Sequence, residues 1–115
     1  MKENIILDKT FQFSLNIIKY CEFLHNEKKF VIANQLLKSG TSIGANIREA
    51  QNCESQNDFI HKFKIAAKEI EETNYWLLLC QHSENYPNCD ELISELKEIE
   101  NITNKIIITL KNRSR

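Results

Sequence analysis

The chain has 115 residues, 42% of them apolar and 27% charged, with a formal net charge of −1. That length suits one domain with a real core. The near-zero balance excludes a whole-protein field that would draw the chain to nucleic acid or to a membrane surface. Two glycines and one proline are too few for a fold of short strands and tight turns, and they favour helices joined by few connections.

The N-terminal MKENIILDK has an apolar run of only three, which is no signal peptide. The longest apolar run, Tyr75 to Cys80, falls far short of the ~20 residues that span a bilayer. A cytoplasmic, non-membrane protein is therefore expected. Its four cysteines, Cys21, Cys53, Cys80 and Cys89, are spaced 32, 27 and 9 residues apart, so no zinc-ribbon or thioredoxin pair exists. In a reducing compartment they serve as small apolar residues.

The first helix is expected from about Lys9 to Asn26, with Asp8 as candidate N-cap. Two apolar stripes run along it. Phe11, Leu15 and Ile18 make one; Phe13, Ile17, Tyr20 and Leu24 make the other. Together they exceed what one neighbour needs. The second stripe, Phe13, Ile17, Tyr20 and Leu24, is assigned here as the surplus, an oligomer face.

After the polar break His25 to Lys29, the second helix is expected from about Phe30 to Asn52. Ala33, Leu36, Leu37, Gly40, Ile43, Gly44 and Ile47 fall on one side. Both glycines of the chain lie inside this helix, where each costs roughly 1 kcal/mol relative to alanine. Spaced one turn apart, they make a smooth face that a backbone or bulky side chain can approach closely. Ser42, Asn46 and Glu49 form a polar line beside it. That line finds partners within the bundle, across a subunit boundary, or in a ligand. Gly40, Ser42, Ile43, Gly44, Asn46, Ile47 and Glu49 are thus read as a packing and assembly motif.

The third helix is expected from about Gln56 to Ser83, opened by Ser55 and Asp58 in the manner of a capping box. Tyr75 and Trp76 are a partner hot spot or the last layer of the core. Residues 84 to 90 hold the only proline and form the clearest loop. The fourth helix is expected from about Asp90 to Asn112. Leu92, Leu96, Ile99, Thr103, Ile106 and Leu110 alternate four and three apart, which outweighs the strand-like run Ile106 to Thr109. Short connections force antiparallel neighbours. The expected fold is all-α, an up-down-up-down four-helix bundle spanning residues 1 to 115 as one domain.

Chemistry is sparse. Glu22/His25 and Asp58/His61 have the i, i+3 spacing of bundle metal sites, yet the second pair has Asp for Glu. No nucleophile motif or phosphate-cradling loop is present. No catalytic residue, metal or cofactor is expected. Lys105 to Arg115 carries four basic residues and no acid, which suits either a solvated helix end or a phosphate-binding tail. Lys38, Arg48, Lys105, Lys111, Arg113 and Arg115 are the candidate nucleic-acid contacts.

Leu36–Leu37–Lys38–Ser39 through Ala50 resembles the signature of the bacterial 23S rRNA intervening-sequence proteins. Ser42–Ile43, Asn46–Ile47 and Glu49 match it, with Ala50 in place of the usual glycine. A second stretch, Asp58–Phe59–Ile60 to Ala66 and then Glu69–Ile70–Glu71–Glu72, is similar to the family's next block, with Lys68 near its usual serine. The resemblance covers nearly the whole chain. It implies a four-helix bundle assembled into a ring, a homopentamer, with no established catalytic residues. It also implies a coding frame lodged in an intervening sequence of a ribosomal RNA gene, or a stand-alone relative. A related group, the accessory variability determinants of diversity-generating retroelements, binds nucleic acid and partners a reverse transcriptase. Those relatives are strongly basic, unlike this chain. The expected partners are therefore other copies of the chain, and RNA or a nucleic-acid-processing protein.

Overall fold

The computed structural model describes residues 2–113, with side chains from residue 5. Four helices follow one another: α1 (Lys2–Asn26), α2 (Phe30–Ala50), α3 (Gln56–His82) and α4 (Asp90–Arg113). They form a rod of 49 × 21 × 21 Å. Each helix packs on the next in sequence, α4 closes on α1, and the diagonal pairs stand apart. The cross-helix contacts give the directions. Ile17 lies opposite Gly40 and Thr10 opposite Gly44. Glu49 meets Lys62 while Ser39 meets Thr73, and Lys9 meets Glu98 while Asn16 meets Glu95. In each pair one number rises as the other falls, so neighbours are antiparallel and the bundle runs up-down-up-down.

The helices end where local chemistry stops them. Lys28 adopts a left-handed φ of 64° after α1. Its N–H bonds the His25 carbonyl at 2.9 Å, and the Lys29 N–H bonds that of Leu24 at 2.9 Å. This is the paired C-terminal motif usually built on glycine. Ser55 caps α3, its Oγ accepting the Asp58 N–H at 3.1 Å. Before α4, the Asn88 side-chain oxygen accepts the Asp90 N–H at 2.8 Å.

The α1 start corrects the sequence reading. The helix begins at Lys2, so Asp8 is an exposed mid-helix residue and not a cap. Ile6 explains it: fully buried, it sits one turn before Thr10 and continues the inward face of Phe13 and Ile17, so core burial extends the helix upstream.

The core is a ladder of large side chains from all four helices. It includes Ile6, Phe13, Ile17 and Leu24 on α1, Leu36, Ile43 and Ile47 on α2, Phe63, Ile70 and Leu77 on α3, and Leu96 and Ile99 on α4. Ser39 and Thr73 carry the polar link through it. Their hydroxyls share a hydrogen bond of 2.9 Å, and Thr73 also bonds the Glu69 carbonyl at 2.7 Å. Thr103 Oγ1 is buried with no hydrogen-bond partner among the described residues.

Phe13, Ile17, Tyr20 and Leu24, read from the sequence as an oligomer face, are between 0% and 8% exposed and lie inside this core. Ile17 of this stripe packs against Gly40 of α2, and the Tyr20 hydroxyl donates to the Pro87 carbonyl just before α4, so the stripe faces both neighbours of α1. The stripe left outside is Phe11, Leu15 and Ile18, at 56%, 39% and 38% exposure.

Candidate functional site

The opening motif of α2 resolves into three roles. Ile43 and Ile47 are fully buried. Gly40 and Gly44 turn toward α1. A Cβ built on Gly40 would stand 3.0 Å from both Cγ1 and Cγ2 of Ile17, and one on Gly44 would stand 3.3 Å from the Thr10 Cβ. The polar line is satisfied locally. Ser42 Oγ donates to the Lys38 carbonyl at 2.6 Å, and Asn46 Nδ2 to the Ser42 carbonyl at 2.8 Å. Glu49 pairs with Lys62 of α3 at 2.9 Å.

Two surfaces remain. The first is apolar and lies along α1 and α2. Leu37 of α2 joins Phe11, Leu15 and Ile18 of α1 as a large exposed hydrophobe. Between Ile18 and Leu37 lies an open groove of about 800 Å³, reaching Cys21, Glu22, His25 and Thr41. Exposed apolar surface of this kind on a small rod is a candidate interaction face.

The second surface is electrostatic. The rod can be cut across its four helices at 12/13, 44/45, 68/69 and 101/102. Among residues 5–113, the half made of 5–12, 45–68 and 102–113 holds eight Lys/Arg and four Asp/Glu. The other half, 13–44 and 69–101, holds five and eleven. A chain that is nearly neutral overall is thus a rod with a basic end of about +4 and an acidic end of about −6.

The sequence-derived nucleic-acid contacts divide across this boundary. Arg48, Lys105, Lys111 and Arg113 lie at the basic end and are exposed. Lys38 falls in the acidic half near Glu69, so it does not join them. Burial and the neighbouring Glu72 hold the Glu69 carboxyl above its usual range, and Lys38 partly opposes that rise. Arg115 lies outside the described residues. Arg48 on α2 and the α4 cations belong to diagonal helices and do not share one face.

Sequence reasoning missed α3. His61, Lys64 and Lys68 recur at i, i+3 and i+7 on its outer side, and all three are exposed. Lys111 of α4 reaches Lys64 closely enough to pull the Lys64 pKa below the ordinary lysine value. Neither ammonium has an acidic partner among the described residues. The signal was legible as a basic i, i+3, i+7 row, but segment totals hid it, because Glu69, Glu71 and Glu72 follow within the same helix.

The metal-spaced pairs stand at opposite ends of the rod, Glu22/His25 late in α1 and Asp58/His61 at the start of α3, and cannot form one site. His25 instead bonds Asn34 at 3.0 Å. Among the described residues no helix is long and apolar enough to cross a membrane. All four cysteines are free thiols. Cys21 and Cys80 are buried, and burial pushes their thiols up to about 12 and about 11.

The comparisons agree with this geometry. A crystal structure at 1.70 Å resolution of a protein with unknown function from the S23 ribosomal protein family, from Bacteroides thetaiotaomicron VPI-5482, is 44% identical to the chain with a TM-score of 0.88. The match covers 93% of this chain and 98% of that one. No match was found among curated proteins. The profile of the 23S rRNA-intervening sequence proteins matches residues 2–106. By that match, over nearly its full length, the chain belongs to the 23S rRNA-intervening sequence protein family.

Proposed function

We propose that this chain is a non-catalytic, RNA-associated protein that works in the cytoplasm as a ring of identical copies, five by the family resemblance. The observation that carries the RNA part is the segregation of charge along the rod. Cations gathered at one end bind a polyanion there even though the net charge is −1. The family name, which refers to ribosomal RNA, favours RNA as that polyanion. The self-association part rests on Phe11, Leu15, Ile18 and Leu37, apolar side chains that one protomer leaves exposed.

Parallel packing of such rods in a ring would gather the basic ends on one rim, multiplying a modest charge into a strong one. Fluorescence polarisation with labelled RNA tests the first part: affinity falls steeply as salt rises. Absence of binding at low salt overturns it. Light scattering tests the second part. Leu15→Glu with Ile18→Glu yields folded monomers, and a variant that keeps the wild-type mass refutes the assigned face.

Tyr75, Leu78 and Leu79, exposed on α3 in the acidic half, favour a second reading, a protein-interaction module without nucleic-acid affinity of its own. That reading survives if no RNA binds and a protein partner docks on this patch.

A further inference from the structure

On α3 and α4 the exposed lysines of the basic half stand apart from exposed Phe, Tyr and Trp rings. Phe23, Phe30 and Tyr75 are exposed in the acidic half. In the basic half Phe59 is half-buried and stacked on Phe63, with centroids 4.7 Å apart. Phe11 is exposed there, but it belongs to the α1 stripe assigned to self-association. Proteins that hold single strands combine a positive groove with rings on which the bases stack. Here Lys64, Lys68 and Lys111 form an exposed ridge on α3 and α4 with no exposed Phe, Tyr or Trp on those stretches among the described residues, and Lys68 borders a pocket shared with Glu71 and Glu100.

The ridge has a regular layout. His61, Lys64 and Lys68 follow one side of α3, Lys64 and Lys68 separated by one turn, a rise of about 6 Å. Lys111 stands beside Lys64 from α4. Lys64 and Lys111 bring two positive charges from neighbouring helices onto one stretch of surface, where a shared anion is favourable. Lysines in a row with no exposed Phe, Tyr or Trp beside them suit a ligand whose phosphates are outside and whose bases are inside.

We infer that the His61, Lys64, Lys68 and Lys111 ridge binds double-stranded RNA through its phosphate backbone, without reading bases. This inference rests on the RNA-associated reading above.

The test uses the full-length protein, a duplex RNA of about 20 base pairs and an unstructured uridine 20-mer, compared at the same low salt. The duplex is expected to bind at least tenfold more tightly. Lys64→Ala, Lys68→Ala and Lys111→Ala together are expected to weaken duplex binding at least tenfold and to flatten the salt dependence by about 2–3 units of log–log slope. All three side chains are exposed, so fold and oligomer mass, checked by circular dichroism and light scattering, are unchanged. Equal or tighter binding of the uridine strand overturns this inference and leaves the RNA reading standing. Binding of neither RNA overturns both. A triple variant that binds the duplex like wild type shows that the ridge is the wrong place.

Discussion

The two glycines of α2 make opposing predictions depending on which physical effect dominates, and Gly40 separates them. Helix propensity alone says that Gly40→Ala stabilises by about 1 kcal/mol. The packing says otherwise. The new Cβ would meet Ile17 Cγ1 and Cγ2 at 3.0 Å and Cδ1 at 3.3 Å. Ordinary carbon contacts lie at about 3.5–4.0 Å, so the gap must open by roughly half an ångström. Ile17 cannot yield easily. It is fully buried, and as a β-branched residue in a helix it has one strongly preferred rotamer. Overpacking of this kind costs about 1–3 kcal/mol. The net expectation is a loss of about 1 kcal/mol, a fall of about 0.5 M in the urea midpoint for a slope near 2 kcal/mol/M. A double-mutant cycle isolates the contact. Ile17→Ala alone costs about 2–5 kcal/mol. In Gly40→Ala/Ile17→Ala the added methyl enters the vacated space, so the pair is less destabilised than the sum by about 1 kcal/mol or more. A Gly40→Ala protein more stable than wild type, or an additive cycle, refutes the close-packing account. Gly44→Ala, with its closest approach 3.3 Å from Thr10, falls nearer neutral. Gly44→Leu overfills the same seam and is destabilised by about 1–3 kcal/mol.

Lys28→Gly is expected to stabilise by about 1 kcal/mol, because glycine adopts the φ of 64° without strain; an unchanged melting curve contradicts this. Thr103→Val removes the orphaned buried hydroxyl and is expected to raise stability by about 1 kcal/mol in urea titration, whereas a loss reveals a partner. Stability is expected to fall as pH rises above about 9. Buried Cys21 and Cys80 stay protonated in the native protein while their unfolded counterparts, with ordinary values of 9.0, ionise, so the unfolded chain binds fewer protons and unfolding is favoured. Urea midpoints that are flat between pH 8 and about 11 refute that sign. In native protein at pH 8, Cys53, the one thiol not buried, is expected to react with a disulfide reagent well before the other three.

Much of this fold was legible before any coordinates, because helix period and loop chemistry act over a few residues. The 4-3 alternation from Leu92 to Leu110 outweighed the β-branched run at Ile106 to Thr109, and α4 is helical throughout it. Ser55 as a cap needed only its own hydroxyl and the Asp58 N–H three residues on. Asp8 failed as a cap because burial of Ile6, a tertiary effect, extends α1 past a good local stop signal. The choice between the two α1 stripes was also tertiary. Both have helical spacing and apolar residues, so periodicity cannot rank them. What ranks them is the position of the Gly40/Gly44 face, which brings α2 against Thr10 and Ile17 and so draws the Phe13 stripe inward. The same antiparallel geometry decides the charges. Lys64 and Lys111 are 47 positions apart in sequence yet adjacent in space, while Lys38 and Arg48, ten apart on one helix, fall in opposite halves. A bundle folds a linear charge pattern back on itself three times. Totals by sequence segment therefore average the basic start of α3 with its acidic continuation, and the electrostatic ends emerge only once the chain directions are known.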